Sequence, residues 1–276
     1  MQYQALASDY DGTLAHDGHV SRITLAAVQR LKDSGRKFIL VTGRELPELQ
    51  ATFPDIGLCD AVVAENGGLL YWPADQKEET LAEPPPPAFI SEIATRGVQP
   101  FSVGRVIFAT WRPHETAVLE VIQQLGLESH IIFNKRAVMV LPSGVNKATG
   151  LAKVLRRLKI SPSHVVGVGD AENDHAFLDS CGVAAAVENA LPSLKEKCDL
   201  VLAADHGRGV IELIDQILAD DLQRFGPRRP RKELAGHVVP KDDVAKDNAA
   251  KGKAAQPMPP SGPNGAAAQQ SAAKRA

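Results

Sequence analysis

The chain has 276 residues, 44% of them hydrophobic, and a formal net charge of −2, which is enough apolar material for one large domain or a core with a smaller insert. Only 4 of its 33 Asp and Glu residues but 10 of its 31 Lys and Arg residues fall at 227–276, so the body before them is acidic (29 against 21) and is not expected to bind nucleic acid. Three scattered cysteines in no C-x-x-C, no signal-peptide pattern and no long apolar run exclude a disulfide framework, a cysteine zinc site and a membrane span, and point to the cytoplasm.

Residues 4–8 read as a short buried strand that breaks at Asp9-Tyr10-Asp11-Gly12-Thr13. Residues i and i+2 of an extended segment point the same way, so Asp9 and Asp11 would repel each other unless a cation lies between or beside them. Gly12 permits a sharp turn that leaves both carboxylates at the strand's C-terminal end. An acidic turn is an equal reading of this stretch alone. An EF-hand loop fits less well, because Gly12 follows Asp11 directly and Gly18 stands where that loop needs Glu.

Ser21 is a candidate N-cap for a helix carrying Ile23, Ala26, Ala27, Arg30 and Leu31 at helical spacing and ending at Gly35. Residues 37–41 form a continuous apolar strand that stops at Thr42-Gly43-Arg44, and a helix is expected over 45–52. After another apolar strand at 61–64, Asn66-Gly67 ahead of Leu69-Leu70-Tyr71-Trp72 signals a hairpin. Pro84 to Pro87 marks a stiff linker, beyond which a small α+β unit is expected: helices at 89–95 and 114–124, strands at 102–109, 130–133 and 137–141.

A helix over 147–158 returns to the first style. The strand at 164–168 ends in Gly169-Asp170; short strands at 183–186 and 200–202, helices at 174–179 and 191–197, and a closing amphipathic helix at 209–222 complete the pattern. The predicted fold class is α/β: a Rossmann-like, doubly wound, mainly parallel sheet with an inserted small α+β cap. The expected division is core at 1–83 and 143–225, cap at 84–142, and a basic tail at 226–276 that is expected to be disordered, being without aromatics and rich in Pro, Gly, Ala and Lys.

Three predicted strands thus end in polar residues, at Asp9 and Asp11, at Thr42 and at Asp170. If these strands are parallel neighbours, Asp9, Asp11 and Asp170 form an oxygen-rich cluster suited to Mg²⁺, and Asp174 lies near enough to reach the metal or hold a water on it. Asn173 can orient its neighbours, while Lys147 and Thr42 suit an anionic phosphoryl group. Arg44 is read either as a substrate contact or as half of a surface salt bridge, and Asn66 as a turn residue or a substrate contact.

Asp9-Tyr10-Asp11-Gly12-Thr13, Thr42-Gly43-Arg44, Lys147 and Gly169-Asp170-Ala171-Glu172-Asn173-Asp174, in that order, resemble the four motifs of the haloacid dehalogenase superfamily of phosphatases. The insert between the Asn66-Gly67 hairpin and Lys147 resembles the cap of subclass IIB, which includes Cof-type, sucrose, mannosylglycerate and archaeal phosphoglycolate phosphatases.

The resemblance implies Asp9 as nucleophile and Asp11 as acid and base, with Asp9, the Asp11 carbonyl, Asp170 and Asp174 around Mg²⁺. Gly12, Thr42 and Lys147 would hold the phosphoryl group, and Arg44, Asn66 and Asn173 would serve the substrate. The implied partner is a small phosphorylated metabolite, a sugar phosphate or a phosphoglycolate-like acid. A phosphomannomutase-like phosphotransferase and a non-catalytic metabolite sensor are the alternatives.

Overall fold

The computed structural model describes residues 1–225. The chain enters through β1 (Ala5–Ser8), all four residues buried, and turns into α1 (Arg22–Asp33). Ser21 caps that helix by accepting from the Thr24 amide, as expected. The buried stripe of α1 is Thr24, Ala27, Val28 and Leu31, however, and Ile23 is exposed at its start. β2 (Lys37–Val41), α2 (Leu46–Thr52) and β3 (Ala61–Ala64) follow, and a four-residue turn at 65–68 leads to β4 (Leu69–Trp72), antiparallel to β3. β5 (Lys77–Thr80) extends the hairpin. Its charged Lys-Glu-Glu-Thr sequence gives no apolar alternation to read, because an edge strand is solvated and gains from charge that discourages further pairing.

After α3 (Pro87–Thr95) come β6 (Phe101–Val103), β7 (Phe108–Trp111), α4 (Glu115–Gln124), β8 (Ser129–Asn134) and β9 (Ala137–Pro142). The single strand expected at 102–109 is two strands joined by a turn. The break has a physical cause: the buried Glu65 carboxylate accepts the backbone N–H groups of Arg105, Val106 and Ile107, at 3.0, 2.8 and 3.0 Å, so these residues are not free to continue a ladder.

α5 (Lys147–Leu158), β10 (Val165–Gly169), α6 (His175–Ser180), β11 (Val183–Ala186), α7 (Pro192–Lys195), β12 (Leu200–Val201) and α8 (His206–Asp220) complete the described chain. The last helix starts three residues before its predicted position.

The large sheet has eight strands in the order β12-β11-β10-β1-β2-β3-β4-β5, parallel from β12 to β3. Strand order reverses beside β1, whose neighbours are β2 and β10, and this is the switch point at which open α/β sheets bind ligands. Because helices cover it, its central strands are buried along their length; Phe38, Ile39, Leu40 and Val41 are all fully enclosed.

The second sheet, β6-β7-β9-β8, is antiparallel throughout. It alternates as a half-covered sheet should: Phe108 and Val140 pack with Phe89, Ile93, Val118 and Val121 of α3 and α4, while Ile107, Ala109 and Met139 face the other way. No helix among the described residues is long and apolar enough to cross a membrane. The basic tail at 226–276 lies outside the described residues.

Candidate active site

β10, β1 and β2 are parallel neighbours, with Ser8 level with both Val168 and Leu40, so the residues that follow them share one edge. Asp9, Asp170 and Asp174 are buried there, with one carboxylate oxygen from each within 4.8 Å of the others. Such a set of hard oxygen donors fits Mg²⁺. Three carboxylates this close also need positive charge in their midst.

Lys147 supplies it. Its Nζ lies 2.5 Å from Asp9 Oδ1 and 2.7 Å from Asp174 Oδ1, with only 1% of the side chain exposed. The lysine stands at the first position of α5, where the Asn146 side chain accepts from the Ala148 and Thr149 amides and the Thr149 hydroxyl takes the Asn146 N–H in return. A cation at a helix N-terminus opposes the helix dipole, and the two carboxylates outweigh that cost. Burial alone would lower the lysine's pKa, but Asp174 and Asp9 hold it above the ordinary value. For Asp9, burial raises the pKa well above the ordinary carboxylate range; Asp174 adds to the rise and Lys147 opposes it.

Asp174 belongs to the frame of the site. Its Oδ2 accepts the Asp170 and Ala171 amides at 2.9 and 3.0 Å while Oδ1 holds Lys147, so both oxygens are engaged. Asp170 takes the Thr13 hydroxyl on Oδ1 (3.2 Å) and Lys135 Nζ on Oδ2 (3.0 Å). Gly12 has φ +87°, and a Cβ there would overlap the Asp170 carboxylate and stand 2.9 Å from Lys135 Nζ. Only glycine fits that approach. The Gly12 amide itself donates to the Ala15 carbonyl at 3.1 Å, and is therefore committed within the turn.

Asp11 has a cation of its own. Arg44 grips it with both arms, Nε to Oδ2 and Nη2 to Oδ1, each at 2.7 Å. The same guanidinium reaches Glu48 at 2.8 Å and stacks over Tyr10 with its carbon 5.3 Å from the ring centroid. The repulsion read in Asp9-x-Asp11 is thus relieved by two separate cations. Of the two readings of Arg44, the structure shows the salt bridge, with Asp11 as its chief partner.

Thr42 is buried at the end of β2, where its hydroxyl accepts the Arg44 amide at 3.1 Å. Asn66 has a left-handed backbone (φ 49°) and is fully buried; its Oδ1 accepts from Asn173 Nδ2 at 2.9 Å and its Nδ2 lies 2.9 Å from Met139 Sδ. It ties the β3–β4 turn to Asn173 and to the second sheet, and neither asparagine lines the cleft.

A cleft of about 610 Å³ opens over Asp9 and Asp11, between Gly43, Arg44 and Glu48 on one side and Ile107, Ala109, Trp111, Lys135, Arg136 and Met139 on the other. Its far wall is the uncovered face of the small sheet. Sequence reading missed Lys135, Arg136 and Glu65. Two adjacent basic residues between two strand patterns were a signal for a basic hairpin tip, whereas Glu65, 40 residues from its partners, left none.

The sequence profile of haloacid dehalogenase-like hydrolases matches residues 6–95 and 131–214. The chain belongs to this family. It is accordingly a hydrolase, and a phosphatase within that family. A phosphoglycolate phosphatase of Methanothermobacter thermautotrophicus is 32% identical over 227 residues, covering 78% of this chain and 99% of that protein. "Phosphoglycolate phosphatase 2" of Saccharolobus solfataricus is 31% identical over 221 residues, covering 78% and 92%. Among solved structures, a haloacid dehalogenase-like hydrolase from Bacteroides thetaiotaomicron superposes with a TM-score of 0.65 at 17% identity, over 78% of this chain and 99% of that one.

Proposed function

We propose that the chain is a cytoplasmic, Mg²⁺-dependent phosphomonoesterase that hydrolyses a small phosphorylated metabolite, of the phosphoglycolate type, through an aspartyl-phosphate on Asp9. The observation that carries this reading is the buried Asp9–Lys147–Asp174 chain beside Asp170 at the switch point of the sheet. Asp9 attacks phosphorus in line and the leaving oxygen departs on the opposite side. Lys147, fixed from behind by Asp174, orients Asp9 and faces the charge that develops on the phosphoryl oxygens. Asp9, Asp170 and the Asp11 carbonyl would hold Mg²⁺, with Asp174 acting through water because both its oxygens are engaged. When bound, Mg²⁺ would neutralise the negative charge that otherwise keeps carboxylate and phosphate apart.

Asp11 protonates the leaving alcohol oxygen and then takes a proton from the water that attacks the phosphoaspartate. Arg44 occupies both Asp11 oxygens, so it must let one go before that step. An anionic group on the substrate is a fitting new partner for the guanidinium. Gly12 serves by admitting Asp170, Thr42 by fixing the Arg44 backbone, and Asn66 with Asn173 by joining the second sheet to the core. We assign residues 84–142 as the cap and 1–83 with 143–225 as the core. The acidic body and the phosphatase relatives favour a small metabolite over nucleic acid as partner.

The test is a panel of phosphomonoesters, including 2-phosphoglycolate and hexose 1-phosphates, assayed with Mg²⁺ and with EDTA. Release of inorganic phosphate that EDTA abolishes is expected. No release from any member overturns the proposal, and isomerisation of a hexose 1-phosphate without free phosphate would make the protein a phosphotransferase.

A further inference from the structure

Lys135 is the one residue of the small sheet that reaches the carboxylate cluster by an ion pair among the described residues. It sits in the two-residue turn between β8 and β9, where Asn134 pairs with Ala137, and its φ of +54° is left-handed. A lysine gains nothing by that conformation in a free turn, where Asn or Gly would be more at ease. What the conformation does is place Nζ 3.0 Å from Asp170 Oδ2, although the lysine side chain is 55% exposed and Asp170 only 1%. The other Asp170 oxygen is already held by Thr13. The neighbouring Arg136 lines the same cleft without any ion pair to the cluster.

We propose that Lys135 is a tethered cation that competes with the divalent metal for Asp170, so that metal binding releases the tip of the β8–β9 hairpin and frees its ammonium for the incoming anionic substrate. Asp170 has one oxygen to offer, and a partly exposed ammonium on a flexible stem is the partner that yields. Metal occupancy of the core is thereby linked to the position of the second sheet. In this scheme Lys135 acts on the metal as a positioning residue, through Asp170, and meets the substrate only after release. The scheme rests on the reading of Asp9 and Asp170 as metal-holding residues.

The experiment is a calorimetric Mg²⁺ titration of the substrate-free protein, comparing wild type with K135Q, K135R and R136Q. K135Q is expected to bind Mg²⁺ about three- to tenfold more tightly. K135R should stay near wild type, and R136Q should change affinity by less than about twofold, since a more distant charge is screened. Unchanged affinity in K135Q, or equal gains in K135Q and R136Q, overturns the proposal.

A lysine that merely glued the two sheets would lower the melting temperature of K135Q without tightening Mg²⁺. In wild type, hydrogen exchange across 131–138 should accelerate on adding Mg²⁺; no acceleration counts against the scheme even if K135Q fails to fold. Absence of any Mg²⁺ binding would instead sink the metal reading of the site, which separates the two failures.

Discussion

Lys147 shows what a single residue can do when its partners are arranged first. Removing it leaves Asp9 and Asp174 buried and facing each other without the charge that joins them. Breaking such a buried pair typically costs about 3–5 kcal/mol, because the surviving charges are uncompensated. K147M is therefore expected to unfold at lower denaturant by that amount and to lose about 100-fold or more in turnover, as seen when a charge-stabilising donor is deleted.

Denaturant melts and phosphate-release rates together check this, and a variant of full stability and full activity contradicts it. The candidate residues were legible at this scale because Asp9, Asp11, Thr42 and Asp170 stand where apolar runs stop and Lys147 stands where a helical pattern begins. Their pairings were not. That Lys147 serves Asp9, and Arg44 serves Asp11, depends on contacts 138 and 33 residues apart in sequence, which no local pattern encodes.

The turn after β3 is the element on which the two sheets meet. Glu65 and Asn66 both have left-handed backbones, with φ of 51° and 49°, and Gly67 follows at +101°. A Cβ on Gly67 would overlap the Asn146 carbonyl, so the turn also fixes the entry to α5 and hence Lys147. Glu65 spends its carboxylate on three amides of the β6–β7 turn. E65A would strand those donors, a loss of about 3 kcal/mol or more at 1–3 kcal/mol for each buried unsatisfied group.

Faster hydrogen exchange at 105–107, with a matching fall in unfolding free energy, is the expected result. A change below about 0.5 kcal/mol would show the anchor to be idle, since that is the size of an ordinary surface substitution. The Asn66-Gly67 signal was correctly read as a hairpin, yet Glu65 beside it passed unnoticed, because its partners lie in the insert. The strands β1, β2, β3 and β11 were legible for the reason that they are covered on both faces, whereas the charged edge strand β5 carried no such mark.

At the scale of the whole molecule, the doubly wound sheet brings three strand ends to one edge and the second sheet faces that edge with the side its helices leave uncovered. The order of motifs in the sequence was sufficient to anticipate the first of these facts. The cleft itself, and the basic hairpin tip that enters it, came only with the packing of one sheet on the other.

Under the proposed mechanism Asp9, and not water, makes the first bond to phosphorus. Turnover quenched in acid, followed by mass spectrometry of the peptides, tests it most directly. A phosphoryl adduct on Asp9 is expected, one that requires Mg²⁺ and disappears in D9N together with phosphate release. An adduct on another residue, or undiminished phosphate release by D9N, would contradict it.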